Sequence, residues 1–265
     1  MLSRLAALPR PTALALSAVP VLAVLGVTLF APLPFAVAQP GSTSDVLGEH
    51  QGDQVITVEG APTRETDGKL LMTTIVATGP TVDVGIGDVV DAWFRTDRAV
   101  MPREAVYPSG DSAEEIEKHN LGEMKKSQDE AVEAALTYLD KSPKDVRVQL
   151  KLADIGGPSA GLLFALGIID KLDGDGSGKD LTGGRTIAGT GTITPDGEVG
   201  PVGGVALKTQ AAGRDGASVF LVPKAECADA QSELPGGVRL IPVTTLDSAV
   251  DALHALNGGG KVPSC

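Results

Sequence analysis

Aromatic side chains are scarce, with one Trp, two Tyr and five Phe in 265 residues, so a core has to be built from aliphatic side chains and close glycine packing. Cysteine is scarcer still. Cys227 and Cys265 are the only two, and neither belongs to a Cys-x-x-Cys pair or a Cys/His cluster, so we expect no metal and no cofactor. The three histidines, His50, His119 and His254, are scattered along the chain. Basic residues are in deficit, 22 against 34 acidic, for a net charge of −12. That balance counts against nucleic acid as a partner and against electrostatic adhesion to an anionic membrane surface. A complete phosphate loop is also missing. Gly178-Lys179 has no glycine five positions before Gly178, and Asp180 stands where Ser or Thr is required, so the stretch reads as a solvated turn and ATP is not expected to bind. No internal repeat is visible.

What is present begins with a long apolar run. Arg4 and Arg10 precede an uncharged stretch from Pro11 to about Ser44, strongly apolar from Leu14 to Phe30, long enough to cross a hydrocarbon core of ~30 Å. Positive charge on its N-terminal side places that end in the cytoplasm and the bulk of the chain outside the cytoplasmic membrane as a single-pass protein. Ala36-Val37-Ala38 ahead of Gln39 also fits a signal-peptidase site, so a cleaved signal peptide competes with the favoured uncleaved anchor. Both readings export the rest.

Residues 39–53 read as a polar linker. Val55 to Val58 and Leu70 to Val76 read as strands joined by a turn at Asp67-Gly68. From Val84 to Ser112 the pattern is weak, apart from a helix around Val89 to Phe94, and an irregular flap is expected there with Trp93 as a packing residue. Ser112 before Glu114-Glu115 marks a helix start, and Ala131, Ala134, Ala135, Leu136 and Leu139 form a helical stripe within Met124 to Leu139. Leu172 to Gly184 is a Gly/Asp loop. Arg185 to Val199 reads as a hairpin turned at Pro195-Asp196-Gly197. Strands at Ser218 to Val222 and Val238 to Pro242 and helices at Ala225 to Gln231 and Leu246 to Leu256 complete an α+β fold.

Chemistry concentrates between Asp154 and Lys208. Asp154-Ile155-Gly156-Gly157-Pro158-Ser159-Ala160-Gly161 follows the alternating segment Val146 to Leu152 and precedes the apolar run Leu162 to Ile169, which reads as strand, tight turn and helix. A serine at such a junction lies beside unpaired backbone N–H groups, where charge developing on a carbonyl oxygen is stabilised. Further on, Gly203-Gly204-Val205-Ala206-Leu207-Lys208 opens a second helix with Lys208 among small and apolar residues, a setting that desolvates an amine.

Taken together these residues resemble the proteolytic domain of Lon proteases, whose nucleophile lies in a Pro-Ser-Ala-Gly turn and whose general base is a lysine following Gly-Gly. Thr190-Gly191-Thr192-Ile193-Thr194, Gly197-Glu198-Val199, Pro201-Val202-Gly203-Gly204 and Ala217 to Lys224 continue the pattern, and the resemblance covers roughly residues 120–255. It is nearest to the membrane-anchored bacterial Lon-like peptidases, although neither their usual PDZ domain nor an ATPase module is read here. Another departure is Gly156, which stands where bacterial Lon enzymes carry an acid three positions before the serine, with Asp154 further back.

The resemblance implies a Lon proteolytic domain-like α+β fold over residues 54–257, with 1–38 as anchor or signal segment, 80–118 as an insertion and 258–265 as a tail. It implies a serine endopeptidase in which Ser159 attacks, Lys208 takes its proton, Thr190 hydrogen-bonds the lysine, and Gly157, Pro158 and Ala160 shape the turn. Polypeptides would be the substrates, unfolded or membrane-associated and cleaved without ATP, and ring formation in the family leaves a homo-oligomer open. Cys227 and Cys265 are a candidate disulfide in an oxidising compartment. Two alternatives remain. Gly157-Pro158-Ser159-Ala160-Gly161 also satisfies the elbow of α/β-hydrolases, with Asp247 or Asp251 and His254 following in order, and a non-catalytic binding module is the other.

Overall fold

The computed structural model describes residues 9–107, 112–152 and 157–265. In chain order the principal elements are α1 (Arg10–Phe30), β1 (Phe35–Asp45), β2 (Ile56–Glu59), β3 (Lys69–Ala77), α2 (Ile86–Trp93), β4 (Ala99–Pro102), α3 (Ala113–Tyr138), β5 (Arg147–Leu150), α4 (Gly161–Leu172), β6 (Thr186–Gly189), β7 (Thr192–Ile193), β8 (Val199–Gly200), α5 (Val205–Arg214), β9 (Val219–Pro223), α6 (Cys227–Ser232), β10 (Arg239–Val243) and α7 (Leu246–Gly258). Six strands form one mixed sheet in the order β10-β9-β6-β3-β1-β4. The β10-β9-β6-β3 half is parallel, whereas β1 runs antiparallel to both β3 and β4.

Alternation along the strands divides the core in two. Leu70 and Met72 of β3 and Val219 and Leu221 of β9 face a cluster that includes Ala131 and Ala135 of α3, Leu162 to Ile169 of α4, and Val250 and Leu253 of α7. Their neighbours Leu71, Phe220 and Val222 face the other side, against Val205 and Ala212 of α5 and Ala230 of α6. The sheet is therefore covered by helices on both faces. Helix α4 is buried from Gly161 to Asp170, as its nearly uninterrupted apolar sequence requires of a central helix. Phe164 and Phe220, with no exposed surface, each contribute ~1.5–3 kcal/mol by burial, one on either side of the sheet.

Several expectations change. The stretch expected as a linker from residue 39 continues β1 to Asp45 and pairs with β3, with a register shift between Pro40 and Thr43. Its side chains are small and polar, but a ladder is made by main-chain groups, and a bulge accommodates the proline. Asp45 Oδ1 then closes the next turn by accepting from Leu47 and Leu70 N–H at 3.1 Å each.

The region expected as an irregular flap contributes α2, the edge strand β4 and a single turn at Arg103–Val106, held by Arg103 donating to the carbonyls of Pro80 and Val82. Trp93, expected to pack, is 82% exposed. In the segment expected as one hairpin, β6 instead joins the large sheet in parallel with β3 and β9, and only β7 and β8 pair about the Pro195-Asp196-Gly197 turn. The two helical signals at Ser112 and Met124 belong to one helix, α3, whose N-cap Ser112 Oγ accepts from Glu115 N–H at 3.2 Å.

Candidate active site

A 3-10 turn, Pro158–Ala160, delivers the chain into α4 and carries Ser159. Two other elements fix its main chain. Ser127 of α3, itself buried, donates its hydroxyl to the Pro158 carbonyl at 3.0 Å, and Gly191 N–H donates to the Ser159 carbonyl at 2.9 Å. Such close approach leaves no room for a side chain at Gly161, where a Cβ would lie 2.9 Å from Ile193 Cγ2 and 3.0 Å from Ser127 Oγ. Asp154 and Gly156 fall outside the described residues.

Lys208 arrives from the opposite side of the sheet. Gly204 caps α5 in the left-handed region at φ 68°, a conformation glycine adopts without a Cβ penalty, and one turn later Lys208 points inward, only 3% exposed. Its Nζ donates to Thr190 Oγ1 at 3.0 Å, and that hydroxyl donates in turn to the Ser159 carbonyl at 3.2 Å. Thr190 sits where the chain leaves β6, so sheet topology places it between the serine turn and the lysine helix. Burial pushes the Lys208 amine down to about 8, against an upward pull from Glu226. Burial in turn pushes the Glu226 carboxyl up, opposed by Val202 N–H and Lys208. Both Glu226 oxygens accept from Val202 N–H at 3.0 Å, so this residue also anchors the Pro201-Val202 segment.

Ser159 and Lys208 line one cleft of about 670 Å³. Gly157, Pro158, Pro201, Val202, Gly203, Met101, Tyr107 and His119 line it as well. Ala160 is buried behind the turn. This arrangement unites a hydroxyl, a desolvated amine and a helix start in a space large enough for an extended chain segment. Among the described residues, no group of three His, Cys, Asp or Glu is placed to share a metal ion.

The alternative triad is not assembled. His254 lines a separate cavity of about 410 Å³ with Asp175, Lys179, Asp180 and Arg185, and none of that cavity's lining residues lines the Ser159 cleft. Cys227 and Cys265 are joined by a disulfide, with Cα atoms 5.3 Å apart, tying the C-terminus to the first residue of α6. Sequence reasoning overlooked Ser127 and Glu226. Ser127 carried a signal, because it continues the Ala131 and Ala134 stripe one turn earlier. Glu226 carried none, because only tertiary folding brings it to Val202.

Residues 86–255 match the family described as the Lon protease (S16) C-terminal proteolytic domain. The chain is similar to the archaeal Lon protease of Halobacterium salinarum, 30% identical over 163 residues, which are 57% of this chain and 22% of that protein. It is likewise similar to the archaeal Lon protease of Methanothermobacter thermautotrophicus, 31% identical over 172 residues, 61% of this chain and 26% of that protein. With the Lon protease of Chloroflexus aggregans it shares 39% identity over 97 residues, 35% of this chain and 11% of that protein. The chain thus spans about a quarter or less of the length of these relatives.

Proposed function

Because the chain belongs to the Lon protease (S16) C-terminal proteolytic domain family, we propose that it is a serine endopeptidase working through a Ser159/Lys208 dyad. The observation that carries this reading is Lys208 Nζ, buried, held by Thr190 and lowered to about 8 on the wall of the cleft that Ser159 lines. A neutral amine has two N–H bonds and one lone pair. Thr190 takes one N–H, which leaves the lone pair for the Ser159 proton.

Ser159 Oγ then bonds to the scissile carbonyl carbon while its proton passes to Lys208, and the oxyanion is held by backbone N–H groups of the turn into α4. Collapse breaks the C–N bond, with the Lys208 ammonium returning its proton to the leaving amine. Water hydrolyses the acyl-enzyme by the same route, again with Lys208 as base. None of these steps consumes a nucleotide, so hydrolysis of an extended peptide proceeds without ATP.

The same reading has α1 as an uncleaved anchor and the catalytic domain outside the cytoplasmic membrane. Helix α1 has 21 residues, long and apolar enough to cross a membrane, and no buried residue. Cleavage after Ala38 would cut through β1 and remove all four of its residues paired with β4. It would also discard Ala36 and Ala38, both buried. Substrates on this view are unfolded or membrane-associated polypeptide segments.

A serine-reactive fluorophosphonate and a set of unstructured peptides, applied to the detergent-solubilised full chain, test the chemistry. Wild type is labelled and cleaves with or without ATP, whereas Ser159→Ala does neither. Labelling that persists in Ser159→Ala, or turnover that persists in Lys208→Arg, overturns the dyad.

A further inference from the structure

Helix α2 presents an apolar face that is left exposed among the described residues. Ile86, Val90 and Trp93 recur at i, i+4 and i+7, with Phe94 closing the stripe, and all four are exposed, Trp93 at 82% and Phe94 at 83%. The other side of the helix faces the domain: Ala92 is buried, and the helix lies against β4 and β1. Its start is capped by Asp88, which accepts from Gly85 N–H at 2.8 Å, and Asp91 accepts from Arg98 at 2.7 Å. The helix is thus amphipathic with its apolar side outward, an arrangement that a helix buried in a water-soluble domain reverses.

Its position says what covers it. Helix α1 and helix α2 are neighbours in space, and the short connection after α1 is stapled to the start of α2 by a bridge in which Leu33 N–H donates to the Val84 carbonyl at 2.8 Å. From Phe30 to Leu33 the chain reaches at most about 10 Å, and Ile86 follows two residues after Val84. The start of the apolar stripe is therefore held close to the end of the membrane-length helix, on the side of the chain where an interfacial helix would bury its apolar face ~5–10 Å into the headgroup and acyl boundary. Trp and Phe on such a face suit the headgroup boundary, where an aromatic body meets the acyl chains.

We propose that α2 lies in the membrane interface beside α1, with Ile86, Val90, Trp93 and Phe94 inserted at the boundary between headgroups and acyl chains, as a second attachment for the domain. This rests on the reading of α1 as an anchor. Insertion is apolar and independent of lipid charge, because Arg95 and Arg98 are already paired with Asp97 and Asp91 and the chain as a whole is acidic. A single anchor leaves a domain free to tumble about its tether; two contacts set its orientation. Strand β4 follows α2 directly, and its Met101 lines the cleft, so seating α2 sets the height of the cleft above the membrane. The substrates reached would be membrane-proximal segments of other proteins.

Trp93 is the only tryptophan of the chain and reports on its own surroundings. The full chain is reconstituted into phosphatidylcholine vesicles, with or without phosphatidylglycerol, and its emission read with bromine placed near the headgroup or at the chain end. The inference expects emission shifted to shorter wavelength and quenched more by shallow than by deep bromine, equally in both lipids, with the shift lost in Val90→Asp. Flotation after alkaline carbonate washing reads α1 separately. A chain that floats while Trp93 emits as in water overturns the inference and leaves the anchor standing; a chain that does not float overturns both. Emission shifted to shorter wavelength but insensitive to bromine, with cross-links between copies, means that a second protein chain covers the face and overturns it as well.

Discussion

At Lys208 the amine proposed as general base also carries a cost in stability. Peptidase activity should rise with pH through a midpoint near 8 as the amine loses its proton, and a pH profile of kcat/KM reads this directly. Glu226 pulls that value upward, so Glu226→Gln should move the midpoint to lower pH. The same change weakens the anchor on Val202 and should raise KM for peptides. Folding is linked with a definite sign. Between about 8 and the ordinary 10.5 the unfolded chain binds the proton and the folded one does not, so stability increases with pH across that window and the full cost is borne below it. The shift corresponds to ~3 kcal/mol. Lys208→Met should therefore melt higher than wild type at pH 7, lose activity, and show a smaller stability advantage above pH 10.5, all readable by calorimetry.

Strand β1 bears the largest difference between sequence and structure, and it decides where the chain can be shortened. Residues 35–38 supply its whole pairing with β4, and Ala38 also pairs with Ala77 of β3. A chain starting at Gln39 should lose the β4 edge, with its Met101 wall of the cleft, and unfold at lower temperature and with less cooperativity than a chain starting at Leu33. Thermal melts by circular dichroism compare the two. Equal melting would mean that the strand contributes little.

For the whole molecule, the Cys227–Cys265 bond closes a separation of 38 residues. In the chain-entropy model this contributes about 4 kcal/mol through the unfolded state. Reduction should lower the melting temperature markedly, and Cys227→Ser/Cys265→Ser should match the reduced protein and lose its response to reductant. The mass of the non-reduced chain gives the bond directly. Such a bond suits an oxidising compartment, as the proposed placement outside the cytoplasmic membrane requires.

Most helices and strands from Ile56 onward were legible in the sequence, because apolar periodicity and turn residues are local properties of the chain; β4, inside the stretch expected as an irregular flap, was not. Ser159 and Lys208 were picked out as candidates by the glycines that a tight turn or a helix start needs, and the fold brings both to one cleft. Thr190 entered only through family resemblance, since a threonine at the end of a strand has no local signal of its own. Pairing was not legible: β1 looked like a linker because ladder bonds are made by the main chain, and β6 looked like half of a hairpin because parallel partners are remote in sequence. Only tertiary structure decided which charges meet. It removed His254 to another cavity, brought Glu226 to Val202, and buried Lys208 deeply enough to lower its proton affinity. The stripe on α2 was written in the sequence, but whether it faced a core or the outside was decided by the fold, because the same periodicity serves either.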